Sequence, residues 1–467
     1  MKQVFGVLFL VSISFPFLSC TENRPMKKSF TGEKGEVRLM TLHPGHFHAA
    51  LVQKTMYEQI APEVHVYAPP GQDVDDHVKR IQGFNSREEN PTHWQVKLYT
   101  GEDFLERMLR EKPGNVLITA GNNQRKTAYI KAAVDAGIHV LADKPMCIDE
   151  SGFRMLKEAF ASAEQNGILL YDIMTERSEI TTILQKELSL IPEIFGELEK
   201  GTPDNPAVVK ESVHHFFKTV AGSPLKRPAW FFDVTQEGDG LVDVTTHLVD
   251  LVQWACFPQQ IIDYEREIEI LSAKRWPNYL TLPQFSRVTQ QSEFPDYLSD
   301  LVKGEVLPVY CNGEILYRIK GVVAKVAVVW NYEAPEGAKD THYSVMRGSK
   351  ANLIILQGKE QNYRPELYVE AIDPELKASL DEALKHAIRD LQKQYPGIAL
   401  QREQGRWHVT IPDDLRIGHE AHFAQVTERF LDCLFDGKLP DWEVPNMIAK
   451  YYITTTALKL AKSCGER

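Results

Sequence analysis

The sequence predicts an α/β domain built on a parallel sheet, followed by an α+β domain with a large open, mainly antiparallel sheet. Three observations lead there. From about residue 36 to residue 175, apolar β-type runs alternate with helical segments, the rhythm of strand–helix–strand crossovers. Beyond residue 180 the β-type runs lengthen and are broken by Asn-Gly or Gly turns, as in an antiparallel sheet. A chain of 467 residues, 43% hydrophobic and 25% charged, is long enough to bury two such cores.

The first elements read in order as the strand "EVRLMTL" (36–42), the helix "HFHAALVQKTMYEQI" and the strand "EVHVYA" (63–68). The strands "HWQVKLYT" and "GNVLITAGN" follow, with the helical "GEDFLERMLREK" between them. Next come the helix "RKTAYIKAAVDAG", the strand "IHVLAD", the helix "SGFRMLKEAFASAEQNG" and the strand "ILLYDIM". In the second part, "AVVKESVHHFF", "IIDYEREIEIL", "VLPVYCNGEILYRIKGVVAKVAVVWNYEA", "HYSVMRGSKANLIILQG" and "ELYVEAID" read as strands. The amphipathic "ELKASLDEALKHAIRDLQKQY" and the hairpin-like "GIALQREQGRWHVTIP" read together as an insertion, before the helices "HEAHFAQVTERFLDCLFDG" and "VPNMIAKYYITTTALKLAKSCG". The expected domains are 36–175 and 176–467, the last helix returning to the first domain.

Residues 1–19 look like a leader. Lys2 precedes the apolar "VFGVLFLVSISFPFL", and small Ser19 stands before Cys20, which resembles a bacterial lipoprotein signal with Cys20 as the lipidated residue; a plain secretory signal is the competing reading. Residues 20–35 would be a polar tether, and the protein is expected to be exported and held at the membrane through its lipid anchor only. The remaining cysteines are scattered and lack the spacing of a disulfide framework or a zinc site. A net charge of −11 without a concentrated basic patch argues against nucleic acid as a partner.

The chemistry is expected at "HVLADKP". An apolar strand that ends in Asp143-Lys144-Pro145 delivers charges to the carboxyl edge of a parallel sheet, where such sheets bind ligands. In "GDGLVDVTTHLVDLVQW", residues 241–254 have helical spacing, so Asp243 and His247 at i and i+4 would share a face and the carboxylate would orient the imidazole.

"AGIHVLADKP", "YDIMTER" and "GDGLVDVTTHLVDLVQW", in this order of elements, resemble the Gfo/Idh/MocA family of nicotinamide-dependent oxidoreductases, in which a Rossmann domain precedes a domain with an open sheet. Asp143-Lys144-Pro145 stands where the family usually has Glu-Lys-Pro, and Asp243, His247 and Asp250 match its DxxxHxxD. The resemblance implies His247 as acid/base, Lys144 as its electrostatic partner and Asp243 as the orienting residue. It implies NAD or NADP as cofactor, a small-molecule carbohydrate as substrate, and a homo-oligomer paired through the open sheet. Cofactor-binding residues would be Pro44, Gly45, His46 and Phe47 in the first turn, with Thr119, Asn123, Asp143 and Lys144 at later strand ends.

The first turn, "TLHPGHFHA", departs from the glycine-rich pattern that lets backbone approach a pyrophosphate, since only Gly45 is present. The second strand ends in Tyr67-Ala68-Pro69-Pro70, with neither an acid to repel a 2′-phosphate nor an arginine to hold one, so NAD and NADP both stand. His43, His46 and His48 crowd the turn, yet no carboxylate lies beside them at ligand spacing and no metal is expected. "YDIMTER" is similar to the family's substrate-lining strand end, which implies contacts from Glu176 and Arg177, although Arg177 reads equally as a helix-start residue. Strand alternation puts Lys210, His214 and Lys218 on one face and His215 on the other. Lys218, His214 and Trp230 are the further substrate candidates, Trp230 either stacking on a sugar or packing in the core. Two alternatives stand beside hydride transfer to a sugar hydroxyl or ketone. One is an NAD-dependent glycosidase working by transient oxidation and elimination; the other is a non-catalytic carbohydrate-binding scaffold on a decayed Rossmann fold.

Overall fold

A computed structural model describes residues 30–220 and 223–465, so the leader and Cys20 lie outside the described residues. The first domain is a parallel six-stranded sheet ordered β3-β2-β1-β4-β5-β6. Its strands are β1 (Leu39–Leu42), β2 (Glu63–Ala68), β3 (Gln95–Thr100), β4 (Val116–Thr119), β5 (His139–Asp143) and β6 (Leu170–Ile173). The order reverses between β1 and β4, which opens a crevice at their carboxyl ends. β1, β4, β5 and β6 are buried along their whole length, as a sheet covered on both faces requires.

Two helical expectations fail here. The helix expected from residue 46 onward is a single turn, α1 (His48–Leu51). Its continuation is blocked because the carbonyls of Gln53 and Lys54 are taken by Trp94 Nε1 at 2.6 Å and Arg87 Nη2 at 2.7 Å. In exchange the chain forms α2 (Gln72–Ser86), where no helix was expected. Its buried stripe is Val74, His77 and Ile81, and a histidine within that stripe weakens the apolar signal. α3 (Phe104–Glu111), α4 (Lys126–Asp135) and α5 (Glu150–Asn166) fall where the periodicity put them.

The second domain opens with α6 (Ile180–Ser189) and carries a nine-stranded sheet. Its strand order by residue number is 268–281, 306–319, 322–333, 208–217, 341–347, 351–357, 366–371, 407–410 and 399–402. All neighbours are antiparallel except one pair, β7 (Val208–Phe217) with Val322–Glu333. The expected strand at "IIDYEREIEIL" begins only at Ile268, because Asp263 caps a short helix over Tyr264–Glu267. The hairpin read as part of an insertion extends the sheet by pairing 407–410 with 366–371. α7 spans Thr245–Cys256, so Asp243 lies in the turn before the helix rather than on its face.

The last two helices, His419–Asp436 and Glu443–Gly465, pack back on the first domain, where Phe423, Phe430, Met447 and Tyr451 enter the core of the parallel sheet. No helix among the described residues is long and apolar enough to cross a membrane. Cys147, Cys256, Cys311 and Cys433 are free thiols.

Candidate functional site

The turn after β1 is held tightly against the turn after β4. A Cβ on Gly121 would lie 2.6 Å from the His43 carbonyl and 2.7 Å from the Gly45 nitrogen, so this close approach requires glycine. The amides of Gly45 and His46 both donate to the Ala120 carbonyl, at 3.1 and 3.3 Å. These donors, which a glycine-rich turn would offer to a phosphate, are therefore satisfied within the protein. Trp230 reaches over from the second domain and its Nε1 donates to Asp73 at 2.8 Å, with its ring edge against Gly45. Gly45, Phe47, Asp73, His77 and Trp230 line a cavity of about 180 Å³. Beside it, His43, Pro44, Ala68, Pro69 and Asp73 line another of about 250 Å³, at the exit of β2 and the first turn of α2.

β4 and β5 bring the next residues. Thr119 is buried at the end of β4, paired with Ala142 of β5. Asn123 fastens the second domain to this edge: its backbone amide donates to Gln236 O at 2.8 Å and its Nδ2 to Glu237 O at 2.6 Å, and its buried Oδ1 has no partner among the described residues. Asp143 is buried and meets the Nδ1 of His48 at 2.9 Å and of His46 at 3.6 Å. Burial pushes its pKa up, but the two imidazoles and the Lys126 ammonium outweigh burial and hold it well below the usual carboxylate range. Lys126, buried beneath the strand end, donates to the Asp143 carbonyl at 3.1 Å, and burial brings its own pKa down to about 8.

Lys144 crosses the domain boundary. Its Nζ donates to Asp243 Oδ1 at 2.6 Å, and the charges of Asp243, Asp143 and Glu237 overcome burial to keep the ammonium protonated. The expectation that Asp243 orients His247 is therefore corrected. Asp243 precedes α7, so the i, i+4 geometry does not apply, and its partner is the lysine of the other domain. The buried Nδ1 of His247 has no partner among the described residues. Burial, reinforced by the Lys144 charge, lowers the His247 pKa to about 4, so the ring is neutral near pH 7.

Glu176 completes this face. Burial alone would raise its pKa, but His419, His247 and His422 around it hold it well below the usual range. A cavity of about 580 Å³ opens over Glu176, Glu179, His419 and His422, with Arg364 and Arg416 on its wall. Sequence reasoning missed His419 and His422; their only signal was the "HEAH" that starts a helix, two imidazoles at i and i+3.

Four expected substrate residues, Arg177, Lys218, His214 and Trp230, are placed elsewhere. Arg177 is committed to the protein: it donates two bonds of 2.7 Å to Asp250 and one of 2.9 Å to Glu443. Lys218 and His215 converge on Asp340 at 2.8 and 2.9 Å, with His214 Nδ1 at 3.6 Å. β7 ends at Phe217, so strand alternation does not extend to Lys218. Trp230 belongs to the cavity at the β1 turn, not to the one over Glu176.

Residues 184–462 match a family model described as "Putative oxidoreductase C terminal domain". A crystal structure of a "putative oxidoreductase" from Parabacteroides merdae is 59% identical, with a TM-score of 0.92 over 93% of this chain and 99% of that one. Two more distant structures share the fold. A levoglucosan dehydrogenase in complex with NADH and L-sorbose is 12% identical with a TM-score of 0.57, over 91% of this chain and 97% of that one. A 3-ketoreductase from Actinomadura kijaniata in complex with TDP-benzene and NADP is 14% identical with a TM-score of 0.55, again over 91% and 97%. No curated protein matches the sequence.

Proposed function

The chain belongs to the Gfo/Idh/MocA family of oxidoreductases, and from that membership we propose that it transfers hydride between a nicotinamide cofactor, NAD or NADP, and a hydroxyl or ketone of a sugar or sugar derivative. The observation that carries this reading is the 2.6 Å pair of Lys144 with Asp243, which joins the parallel-sheet edge to the helix bearing a neutral His247. Solved relatives of the same fold bind NADH with L-sorbose and NADP with a nucleotide analogue, which supports the cofactor and substrate class.

The chain's residues fit such a cofactor at its two ends. The cavity at the exit of β2 adjoins the start of α2, whose first amides carry no side-chain cap. At the other end stand the Lys144 ammonium and the unpartnered Asn123 Oδ1. When bound, the nicotinamide supplies or accepts the hydride. The protein handles the proton and the charge. His247, neutral and with a free nitrogen, takes the proton of a sugar hydroxyl in the oxidative direction and returns it in the reductive one. Lys144 stabilises negative charge on the reacting oxygen. Asp243 positions Lys144, and the cavity over Glu176, where carboxylates and imidazoles stand beside two arginines, suits a polyhydroxylated ring.

The test is to denature purified protein and look for a released nicotinamide by absorbance and mass. Sugars and glycosides are then screened while NAD(P)H formation and aglycone release are followed together. We expect nicotinamide-dependent turnover without aglycone release. Aglycone release with no net NAD(P)H would replace this reading with the glycosidase, and neither retained cofactor nor turnover would leave the scaffold.

A further inference from the structure

The exit of β1 carries His46-Phe47-His48, and β5 ends in Asp143. β4 separates these strands in the sheet, so both end on the same edge. There the rings of His46 and His48 stand 4.0 Å apart at 88°, and each turns a nitrogen toward one oxygen, Asp143 Oδ2. The distances are 2.9 Å from His48 Nδ1 and 3.6 Å from His46 Nδ1. Two ligands each about 2.1 Å from one ion lie roughly 3.0–3.4 Å apart at tetrahedral or octahedral angles, and the observed separations bracket that interval.

The proton inventory points the same way. His46 Nδ1 is buried and has no hydrogen-bond partner among the described residues. On the far side of His48, Nε2 lies 3.1 Å from Nε2 of His419, and His419 Nδ1 lies 3.6 Å from Glu176 Oε1. If His419 presents Nδ1–H to the Glu176 carboxylate, its Nε2 carries a lone pair and accepts from His48 Nε2–H. His48 Nδ1 then carries a lone pair aimed at a carboxylate. The electron pairs of His48 Nδ1 and Asp143 Oδ2 then face each other at 2.9 Å with no proton between them, and His46 Nδ1, at 3.6 Å from the same oxygen, is too far to supply one through a hydrogen bond. Moving the proton to His48 Nδ1 satisfies Asp143 but turns a bare His419 nitrogen toward Glu176, unless His419 is charged, and still leaves His46 unpartnered.

We propose that His46, His48 and Asp143 bind one divalent transition-metal ion, with His419 and Glu176 behind His48 as its positioning relay. Two imidazoles and one carboxylate suit zinc, iron(II), manganese, cobalt or nickel over the all-oxygen preference of calcium and magnesium, and leave coordination positions open. The relay fixes the tautomer of His48, the usual second-layer arrangement of a metal-bound histidine. The spacing rule that led to no metal being expected looked for a carboxylate near His46 and His48 in the chain; Asp143 lies 95 residues beyond His48 and arrives through the sheet. This inference does not rest on the nicotinamide reading.

The test uses the purified mature protein, stripped with a chelator and titrated separately with zinc, manganese, iron(II), cobalt and nickel salts. We expect about one ion per chain by elemental mass spectrometry, a higher melting temperature with the bound ion, and a visible d–d spectrum with cobalt. His46→Ala and Asp143→Asn should abolish binding while the metal-free protein keeps its circular dichroism. His419→Gln should weaken affinity about 10–100-fold yet still reach the same stoichiometry and cobalt spectrum at saturation, which a merely structural role would not produce. Failure of every ion to bind wild-type protein stoichiometrically would overturn the proposal, as would binding unaffected by His46→Ala in a folded variant. Nicotinamide release is measured separately, so either reading can fall alone.

Discussion

Lys144 and Asp243 are 99 residues apart in sequence, and their 2.6 Å contact is one of the charge pairs that join the two domains. The motifs around both residues were legible in the sequence, but the partnership was not, because spacing along a helix reports only neighbours on that helix. Asp243 lies just before the N-cap of α7, outside the helix, and the fold supplies a lysine instead. The same limit hid His419, which reaches His48 from 371 residues away. The division of labour at this site makes a kinetic prediction. In the proposed mechanism Lys144→Ala removes the charge that stabilises the reacting oxygen, and it should lower kcat by a factor of about 10²–10³, with KM little changed. His247→Ala should cost about 10²–10⁴ by loss of the proton acceptor. Steady-state kinetics on the substrate identified by the sugar panel checks both, and full turnover by either variant would remove that residue from the chemistry.

At the scale of elements, strands were easier to read than the helices that edge the site. α1 was expected to be long because what ends it, Trp94 and Arg87, comes from elsewhere in the chain, and α2 was not expected because His77 interrupts its apolar stripe. The parallel pairing of β7 with Val322–Glu333 was likewise invisible, since alternation marks a strand but not its neighbour. Behind the site, β6, the turn after it, α7 and the last helix are clamped by buried charges. Lys450 Nζ meets Asp172 at 2.6 Å and Asp250 at 2.9 Å, and Asp250 also receives Arg177. This is why Arg177 is unavailable to substrate. Removing the central cation takes from Asp172 its only charge partner among the described residues and sets it beside Asp250, which keeps Arg177; breaking a buried pair in this way costs about 3–5 kcal/mol. Lys450→Met should therefore destabilise the protein by that amount in denaturant unfolding, despite adding apolar surface. A change below about 1 kcal/mol would mean that the carboxylates find protons or water at little cost.

At the scale of the whole molecule, the chain's two cores are not independent. The last helix is apolar around most of its circumference and buries opposite sides in different places: Met447 and Tyr451 enter the core of the first domain, whereas Ala449, Ile453, Ala457 and Leu458 enter that of the second. Tyr451 also donates to Asp172 and accepts the amide of Met146, two residues after Lys144. The helix thus reaches the loop that carries the site's lysine. An element shared in this way couples the unfolding of both domains, because neither core can open without exposing part of the other's packing. We expect one calorimetric transition whose van't Hoff and calorimetric enthalpies agree. Ile453→Ala, which leaves a cavity in the second core alone, should cost about 2–5 kcal/mol. It should also lower the melting of the first domain, followed through the fluorescence of Trp94 in a variant that keeps only this tryptophan. Two resolved transitions, or a Trp94 signal that melts at its original temperature in the Ile453→Ala background, would show that the helix joins the domains without coupling them. The site at their boundary would then be free to open without unfolding either.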